Sequence, residues 1–120
     1  MDTKRKTQKK GDLALSKAIY DFTELGYDVS LPITESASYD LIVDDGCGVW
    51  RVQAKFLGET VPYVDMRKIH SNSTGYVVKK YKENDYDWLY VYKQNVASYV
   101  AKRFITTQSY TPKRSDLLEK

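Results

Sequence analysis

Two alternating segments that meet at a glycine-containing turn constrain the fold of this 120-residue chain more than any other feature. Residues 39–44 read YDLIVD, residues 49–56 read VWRVQAKF, and DGCG lies between them. Alternation of apolar and polar side chains is typical of half-buried strands, and glycine favours the tight turn of a β-hairpin. The sequence therefore predicts an antiparallel hairpin whose two-residue loop is formed by Gly46 and Cys47.

The length of this loop fixes the register of the hairpin, and the register sorts the side chains by face. Asp40 then pairs with Gln53, and Ile42 pairs with Arg51. Because strand side chains point alternately to opposite faces, Asp40, Gln53 and Lys55 share one face. The other face is almost wholly apolar and is expected to be buried. Its members are Tyr39, Leu41, Val43, Trp50, Val52, Ala54 and Phe56.

The shared polar face combines groups that suit phosphodiester hydrolysis. Directly opposed residues have Cβ atoms about 5 Å apart, so a carboxylate oxygen of Asp40 and an amide oxygen of Gln53 can reach a common ion. Hard oxygen ligands suit Mg²⁺, which polarises a phosphate and lowers the pKa of a bound water. The ammonium group of Lys55 is placed to orient that water and to offset negative charge in the transition state.

An ordinary solvated sheet gives the same pattern. A hairpin with one face on the core exposes polar side chains on the other, and the spacing of Asp40, Gln53 and Lys55 does not separate a site from such a surface. The register also depends on the loop length, since a slip of one residue moves Asp40 to the opposite face. Both interpretations stay open at this point.

The rest of the chain predicts one mixed domain. Apolar residues recur at three- and four-residue spacing in 10–26, which is typical of an amphipathic helix that ends at Gly26. Residues 57–74 predict a long and partly irregular connection, and 76–81 fit either a strand or a helical turn. This order indicates an α+β or mixed α/β fold with a single core. The predicted strands are 27–31, 39–44, 49–56, 87–92 and 97–101, with a turn at 94–95.

Positive charge is concentrated at the start of the chain. The formal net charge is only +3, but five of the first ten residues are lysine or arginine. We therefore expect a flexible basic arm at 1–9 and a domain at 10–120. Clustered positive charge fits a polyanionic partner, although a solvated surface has the same composition.

Cysteine usage and hydropathy indicate the compartment. Cys47 is the only cysteine of the sequence, so an internal disulfide is excluded, which fits a reducing environment. No apolar run approaches the roughly 18 residues that a membrane-spanning helix requires. We expect a cytoplasmic protein that does not enter a membrane.

The order of these features resembles the PD-(D/E)XK nuclease superfamily. In that superfamily an Asp opens one strand and an (E/Q)-x-K triplet lies on the next, after a leading helix. Here Asp40 is followed, after twelve residues, by Gln53-Ala54-Lys55. The run SNSTG, the tyrosine of KKYKEND and the Asp87-Trp88 pair before YVY are similar to the homing endonucleases encoded by cyanobacterial group I introns. The similarity spans about 10–111.

The resemblance implies a fold, an activity and a set of ligands. The fold is α/β, with a restriction-endonuclease-like core whose mixed central sheet is flanked by helices. The activity is metal-dependent endonucleolytic hydrolysis of DNA. Asp40, Gln53 and the Ala54 carbonyl are implied ligands of Mg²⁺, with Mn²⁺ as a substitute, and Lys55 is the implied catalytic lysine.

One position departs from the pattern of the superfamily. Relatives often carry a glutamate on the first helix that reaches towards the metal, and the corresponding position here is Leu15. Asp12 lies one turn earlier, so it is the candidate replacement. Two alternatives stay open: a Holliday-junction-resolving nuclease with the same core, and a DNA-binding domain that has lost catalysis.

DNA is the expected partner. Cutting both strands needs two active sites, so we expect a homodimer or homotetramer. The candidates for contacts with DNA are basic residues, which neutralise phosphates, and loop residues whose side chains donate hydrogen bonds to phosphates. They are Lys9, Lys10, Ser36, Ser38, Arg67, Lys68, Ser71, Asn72, Lys79 and Lys80.

Overall fold

A computed structural model of the chain describes residues 3–72 and 75–119, with the side chains of 3–5, 68–72 and 76–78 left out of the description. One α-helix and nine strands make up the described fold, together with a single 3-10 turn at Arg114–Asp116. In chain order they are α1 (Thr3–Glu24), β1 (Asp28–Ser30), β2 (Leu41–Asp44), β3 (Val49–Leu57), β4 (Val64–Asp65), β5 (Arg67–Asn72), β6 (Gly75–Lys80), β7 (Trp88–Lys93), β8 (Ala97–Ala101) and β9 (Ser109–Tyr110).

Five strands form a central sheet in the order β1-β2-β3-β7-β8. The β3–β7 pair is parallel and the other three pairs are antiparallel, so the sheet is mixed, as predicted. Asp87 fixes the parallel pair at its start. Its Oδ2 atom accepts hydrogen bonds from the backbone N (2.9 Å) and Nε (3.1 Å) of Arg51, and its own backbone N donates to the Arg51 carbonyl at 2.8 Å.

The β2–β3 hairpin has the predicted turn and register. The backbone N of Asp45 donates to the Gly48 carbonyl at 3.2 Å, which closes a two-residue loop at Gly46 and Cys47. Gly46 has φ +88, a conformation that glycine adopts without strain. The Asp45 carboxylate accepts hydrogen bonds from the backbone N atoms of Cys47 (2.8 Å) and Gly48 (2.9 Å). Ile42 therefore pairs with Arg51, and Leu41 pairs with Val52.

Helix α1 covers one face of the central sheet. Ala18 and Phe22, from the predicted apolar stripe, are fully buried against Leu41, Val43 and Val52, and together with further sheet residues they form the helix-side cluster. The helix ends as predicted, because the backbone N of Gly26 donates to the Thr23 carbonyl at 2.9 Å and that of Tyr27 donates to the Phe22 carbonyl at 3.0 Å.

A second apolar cluster covers the opposite face. Leu57, Leu89, Val91 and Ala101 come from the sheet, and residues from the segments around β4 and β9 pack over them. The covering residues include Val64, Met66, Tyr86, Ile105 and Tyr110. We call this set the loop-side cluster. It matters for function because β3 presents Gln53 and Lys55 towards this face, beside Leu89 and Val91 of the neighbouring strand.

Several predicted boundaries were wrong. Helix α1 begins at Thr3 and not at residue 10, because lysine and arginine continue a helix well beyond the part that packs on the sheet. That the start of the chain is flexible stays a prediction. The connection predicted to be irregular, 57–74, contains β4 and β5. The ambiguous residues 76–81 fall largely in β6, the antiparallel partner of β5. Tyr39 precedes β2, and it packs against the loop-side cluster rather than under the helix.

Within the described residues, no helix has the length and apolarity needed to span a lipid bilayer.

Candidate active site

Asp40 forms hydrogen bonds with the middle of β3 through both its backbone and its side chain. Its backbone N donates to the carbonyl of Val52, the register partner of Leu41, at 2.9 Å, so Asp40 lies at the end of the hairpin ladder, one residue before β2. Its Oδ2 atom accepts two hydrogen bonds of 2.8 Å, one from Nε2 of Gln53 and one from the backbone N of Ala54. The predicted juxtaposition of Asp40 and Gln53 is therefore present in the structure.

Lys55 lies on the same face of β3, one pleat beyond Gln53, and it is half-buried. Burial lowers the pKa of the Lys55 ammonium, while the negative charges of Asp40 and Asp65 act in the opposite direction. Burial likewise raises the pKa of Asp40, opposed by the hydrogen bond from Ala54 and by the charge of Lys55. Each charge thus offsets part of the desolvation of the other.

The surroundings of these groups contradict the interpretation of a solvated sheet surface. A free outer face would leave Gln53 and Lys55 exposed, yet their partners on the parallel strand, Leu89 and Val91, are fully buried. The loop-side cluster covers that part of the sheet, so the polar groups lie at the margin of a core. A half-buried carboxylate next to a half-buried ammonium is typical of a functional site.

Comparisons with known proteins agree with this geometry. A family model for PD-(D/E)XK endonucleases matches residues 5–112. The chain belongs to the PD-(D/E)XK endonuclease family. A solved structure, that of the bacterial homing endonuclease I-Ssp6803I, matches with a TM-score of 0.68 and 26% sequence identity, covering 84% of this chain and 79% of that one. No match is found among curated protein sequences.

Membership of the PD-(D/E)XK endonuclease family makes the chain a nuclease whose substrate is DNA. Enzymes of this family generally use divalent metal ions. The restriction-endonuclease-like core is confirmed, with a difference in its flanks: one α-helix covers the sheet in the described structure, and short strands and loops cover the other face.

The polar atoms around Asp40 and Gln53 fit a divalent ion with hard oxygen ligands. In the described contacts Oδ2 of Asp40 holds both hydrogen bonds and Oδ1 holds none. The Gln53 carboxamide has an oxygen at its other end, which a half-turn of the group would present to an ion. The described residues contain no group of three His, Cys, Asp or Glu side chains suited to a metal. Mg²⁺ tolerates such a sparse set because it keeps several waters and takes phosphate oxygens.

Asp12 is a predicted site residue that makes no described contact with the other predicted site residues. It is an exposed residue of α1, and no described hydrogen bond or ion pair joins it to Asp40 or Gln53. Leu15 is half-buried and packs against the helix-side cluster. The catalytic role of Asp12 therefore stays a prediction.

The predicted DNA contacts lie in three places. Lys9 and Lys10 are exposed on α1, with Nζ of Lys10 5.7 Å from the ring centroid of Phe56. Ser36 is exposed, whereas the hydroxyl of Ser38 donates to the Asp85 carbonyl at 3.0 Å.

The remaining candidates belong to the β5–β6 hairpin. Arg67 is exposed and binds the Asp65 carboxylate, with Nη2 2.6 Å from Oδ2. Lys79 and Lys80 are exposed. The side chains of Lys68, Ser71 and Asn72 lie outside the described residues.

Two residues near the site were missed by the interpretation of the sequence. Asp65 is close enough to Lys55 for their charges to interact, and Tyr81 lies under the Lys55 ammonium, with Nζ 5.2 Å from its ring centroid. Asp65 fell in the connection that was predicted to be irregular, so no strand pattern pointed to it. Tyr81 is the tyrosine of KKYKEND, which contributed to the family resemblance, but the sequence assigned no function to it.

Substitution of Asp40 tests the ion site directly. We expect Asp40→Asn to weaken Mn²⁺ binding at least about tenfold, because it removes the one carboxylate of the proposed ligand set. Electron paramagnetic resonance of free Mn²⁺ during titration measures this affinity without any DNA.

Asp44→Asn is the matched control, since Asp44 is an exposed carboxylate of the same strand whose Oδ1 accepts a hydrogen bond from the Gly46 backbone at 2.9 Å. Equal losses in the two variants would contradict the site. Asp12→Asn, titrated in parallel, supports the predicted role of Asp12 if affinity falls and removes Asp12 from the site if affinity is unchanged.

Proposed function

We propose that this chain is a Mg²⁺-dependent, homing-endonuclease-like DNA endonuclease whose active site consists of Asp40, Gln53, Ala54 and Lys55. The observation that carries the proposal is the double hydrogen bond from Gln53 and Ala54 to Oδ2 of Asp40, with Lys55 half-buried on the same face. Mn²⁺ is proposed as a substitute, because it accepts similar oxygen ligands.

The residues of this site have different roles in hydrolysis. Asp40, Gln53 and the carbonyl of Ala54 would hold the ion, which would polarise the scissile phosphate and lower the pKa of the attacking water. The Lys55 ammonium donates hydrogen bonds to the phosphate and to the attacking water, and its charge offsets the charge that gathers on phosphate oxygens. Because the Lys55 side chain is half-buried, this interaction is stronger than it would be in bulk water.

The β5–β6 hairpin is the proposed main DNA-binding element outside the active site. Register places Arg67 opposite Lys80 and Lys68 opposite Lys79, so two successive cross-strand pairs join like charges. Arg67 also binds the Asp65 carboxylate, so the exposed Lys79 and Lys80 are the charges that a phosphate backbone would neutralise. The proposal extends to the other predicted contacts, namely Lys9, Lys10, Ser36, Ser38, Ser71 and Asn72.

We further propose a homodimer or homotetramer that acts in the cytoplasm. Cleavage of both strands of a duplex requires two active sites, and symmetric association of identical chains supplies them. The DNA substrate and the single free cysteine are consistent with a reducing compartment.

Lys55→Met tests the catalytic assignment. We expect single-turnover cleavage of plasmid DNA with Mg²⁺ to fall by about 10² or more, since one preorganised charge at the transition state is removed. Lys102→Met is the matched control, because Lys102 is exposed and its Nζ lies 4.8 Å from the ring of Trp88 in the helix-side cluster.

Unchanged nicking by Lys55→Met would contradict the assignment. The junction-resolving alternative is tested by offering the protein a four-way junction and a linear duplex library together. That alternative predicts that the protein cleaves the junction preferentially. A purified protein that binds DNA but never cleaves either substrate would support the decayed domain.

Removal of two hairpin charges tests the DNA-binding element. We expect Lys79→Ala with Lys80→Ala to weaken DNA binding and to reduce the slope of log K against log salt concentration by about one per lysine. Fluorescence anisotropy at several salt concentrations with Ca²⁺ in place of Mg²⁺ gives the slope, and Lys102→Ala serves as the control. An unchanged slope would place the DNA on another surface.

A further inference from the structure

An aromatic column lies beneath Lys55, and the roles proposed so far do not use it. Nζ of Lys55 lies 5.2 Å from the ring centroid of Tyr81. The Tyr81 ring meets Tyr86 edge-on, with 5.4 Å between centroids and an interplanar angle of 86°, and Tyr86 packs against Phe104 at 5.0 Å. The ammonium group therefore sits at one end of three contacting rings.

This column is rigid at its base. Tyr86 is fully buried in the loop-side cluster, and its hydroxyl accepts a hydrogen bond from the backbone N of Ile105 at 3.1 Å. A ring held by a hydrogen bond and by core packing keeps its neighbours in place. Tyr81 therefore rests on a fixed surface, although it directly follows β6.

The turn after Tyr81 is also tied to the segment that carries Asp40. The backbone N of Asp85 donates to the Lys82 carbonyl at 2.8 Å, and the backbone N of Lys82 donates to Oδ2 of Asp85 at 2.7 Å. Ser38, two residues before Asp40, donates to the Asp85 carbonyl at 3.0 Å. One set of contacts thus positions both the ring under Lys55 and the start of the metal-binding strand.

In the described part of the chain, an ion pair does not position Lys55. None of the ion pairs formed among the described residues involves Lys55, and the charges of Asp40 and Asp65 act on it at longer range. A ring face attracts an ammonium group without accepting its N–H groups in conventional hydrogen bonds. Within the described contacts, all three donors of Lys55 are left for phosphate and water.

We propose that Tyr81 is a positioning residue whose ring face holds the Lys55 ammonium in place for the reaction. This inference rests on the proposed role of Lys55 in DNA cleavage. Tyr81 itself touches neither the scissile phosphate nor the ion in this account, and its phenol group is not required.

Substitution of Tyr81 by phenylalanine and by leucine tests whether its ring positions the Lys55 ammonium or only fills space in the core. We expect Tyr81→Phe to cleave DNA within about twofold of the native single-turnover rate, and Tyr81→Leu to be about tenfold slower at saturating DNA and Mg²⁺, a loss in the range of one cation–ring interaction. The dissociation constant for DNA is expected to stay unchanged in both variants. Tyr99→Leu is the control for lost aromatic packing, since Tyr99 is half-buried against the same cluster.

A second readout needs neither DNA nor cleavage. The ring current of Tyr81 should shift the NMR signals of the Lys55 side-chain methylenes, and this shift should persist in Tyr81→Phe and disappear in Tyr81→Leu. If the native protein does not cleave DNA, the proposed function is wrong. The NMR signals still show whether the Tyr81 ring contacts the Lys55 side chain. An unchanged Lys55 signal in Tyr81→Leu would overturn the inference, as would equal rate losses in the leucine and phenylalanine variants.

A fluorinated phenylalanine at position 81 covers the case in which Tyr81→Leu does not fold. Fluorination withdraws electron density from the ring face and keeps the shape of the ring nearly constant. We expect the cleavage rate to fall as fluorination increases. A rate independent of fluorination would show that the ring acts by packing alone and would overturn the inference.

Discussion

One carboxylate oxygen joins the two strands on which this structure depends. Oδ2 of Asp40 accepts hydrogen bonds from the Gln53 side chain and from the Ala54 backbone, both at 2.8 Å. These bonds exist only in the register that the two-residue turn at Gly46 and Cys47 imposes, since a slip of one residue would turn Asp40 to the other face. The local chemistry of a short turn therefore helps to bring Asp40, Gln53 and Ala54 together.

The sequence was sufficient for this hairpin because its determinants are local. Alternation fixed the faces of β3, glycine fixed the turn, and the register followed, so Asp40, Gln53 and Lys55 were placed correctly with respect to one another. The mixed sheet was also expected, but from the resemblance to PD-(D/E)XK nucleases, since the order of the elements indicated only an α+β or mixed α/β domain. The start of α1 was predicted too late, because packing periodicity marks only the part of a helix that touches the sheet.

The features of the fold and of the site that the sequence did not predict depend on contacts between distant segments. The parallel partner of β3 is β7, about 35 residues later, and the apolar cover over Lys55 comes from residues as far along as Tyr110. Without them a solvated hairpin and an active site have the same pattern. Asp65 and Tyr81 reach the site for the same non-local reason. Strand β5 was missed because residues 57–74 have no clean alternation, whereas 76–81 fit either a strand or a helical turn.

The half-buried setting explains how so few charged groups could form the proposed site. Burial works against the charged forms of both Asp40 and Lys55, and each partly offsets the desolvation of the other. A divalent ion would add two positive charges to this arrangement, and a phosphodiester group would add one negative charge. The aromatic column under Lys55 supplies the orientation that a second carboxylate would otherwise provide, at no loss of positive charge.

The central claim is that Asp40 and Gln53 share one divalent ion on the face that carries Lys55. X-ray diffraction at the manganese absorption edge, from crystals soaked in Mn²⁺, tests it most directly. The account predicts an anomalous peak in contact with the Asp40 carboxylate and with the oxygen end of a rotated Gln53 carboxamide. A Gln53 amide that still donates to Asp40, with manganese bound elsewhere on the protein, would contradict it.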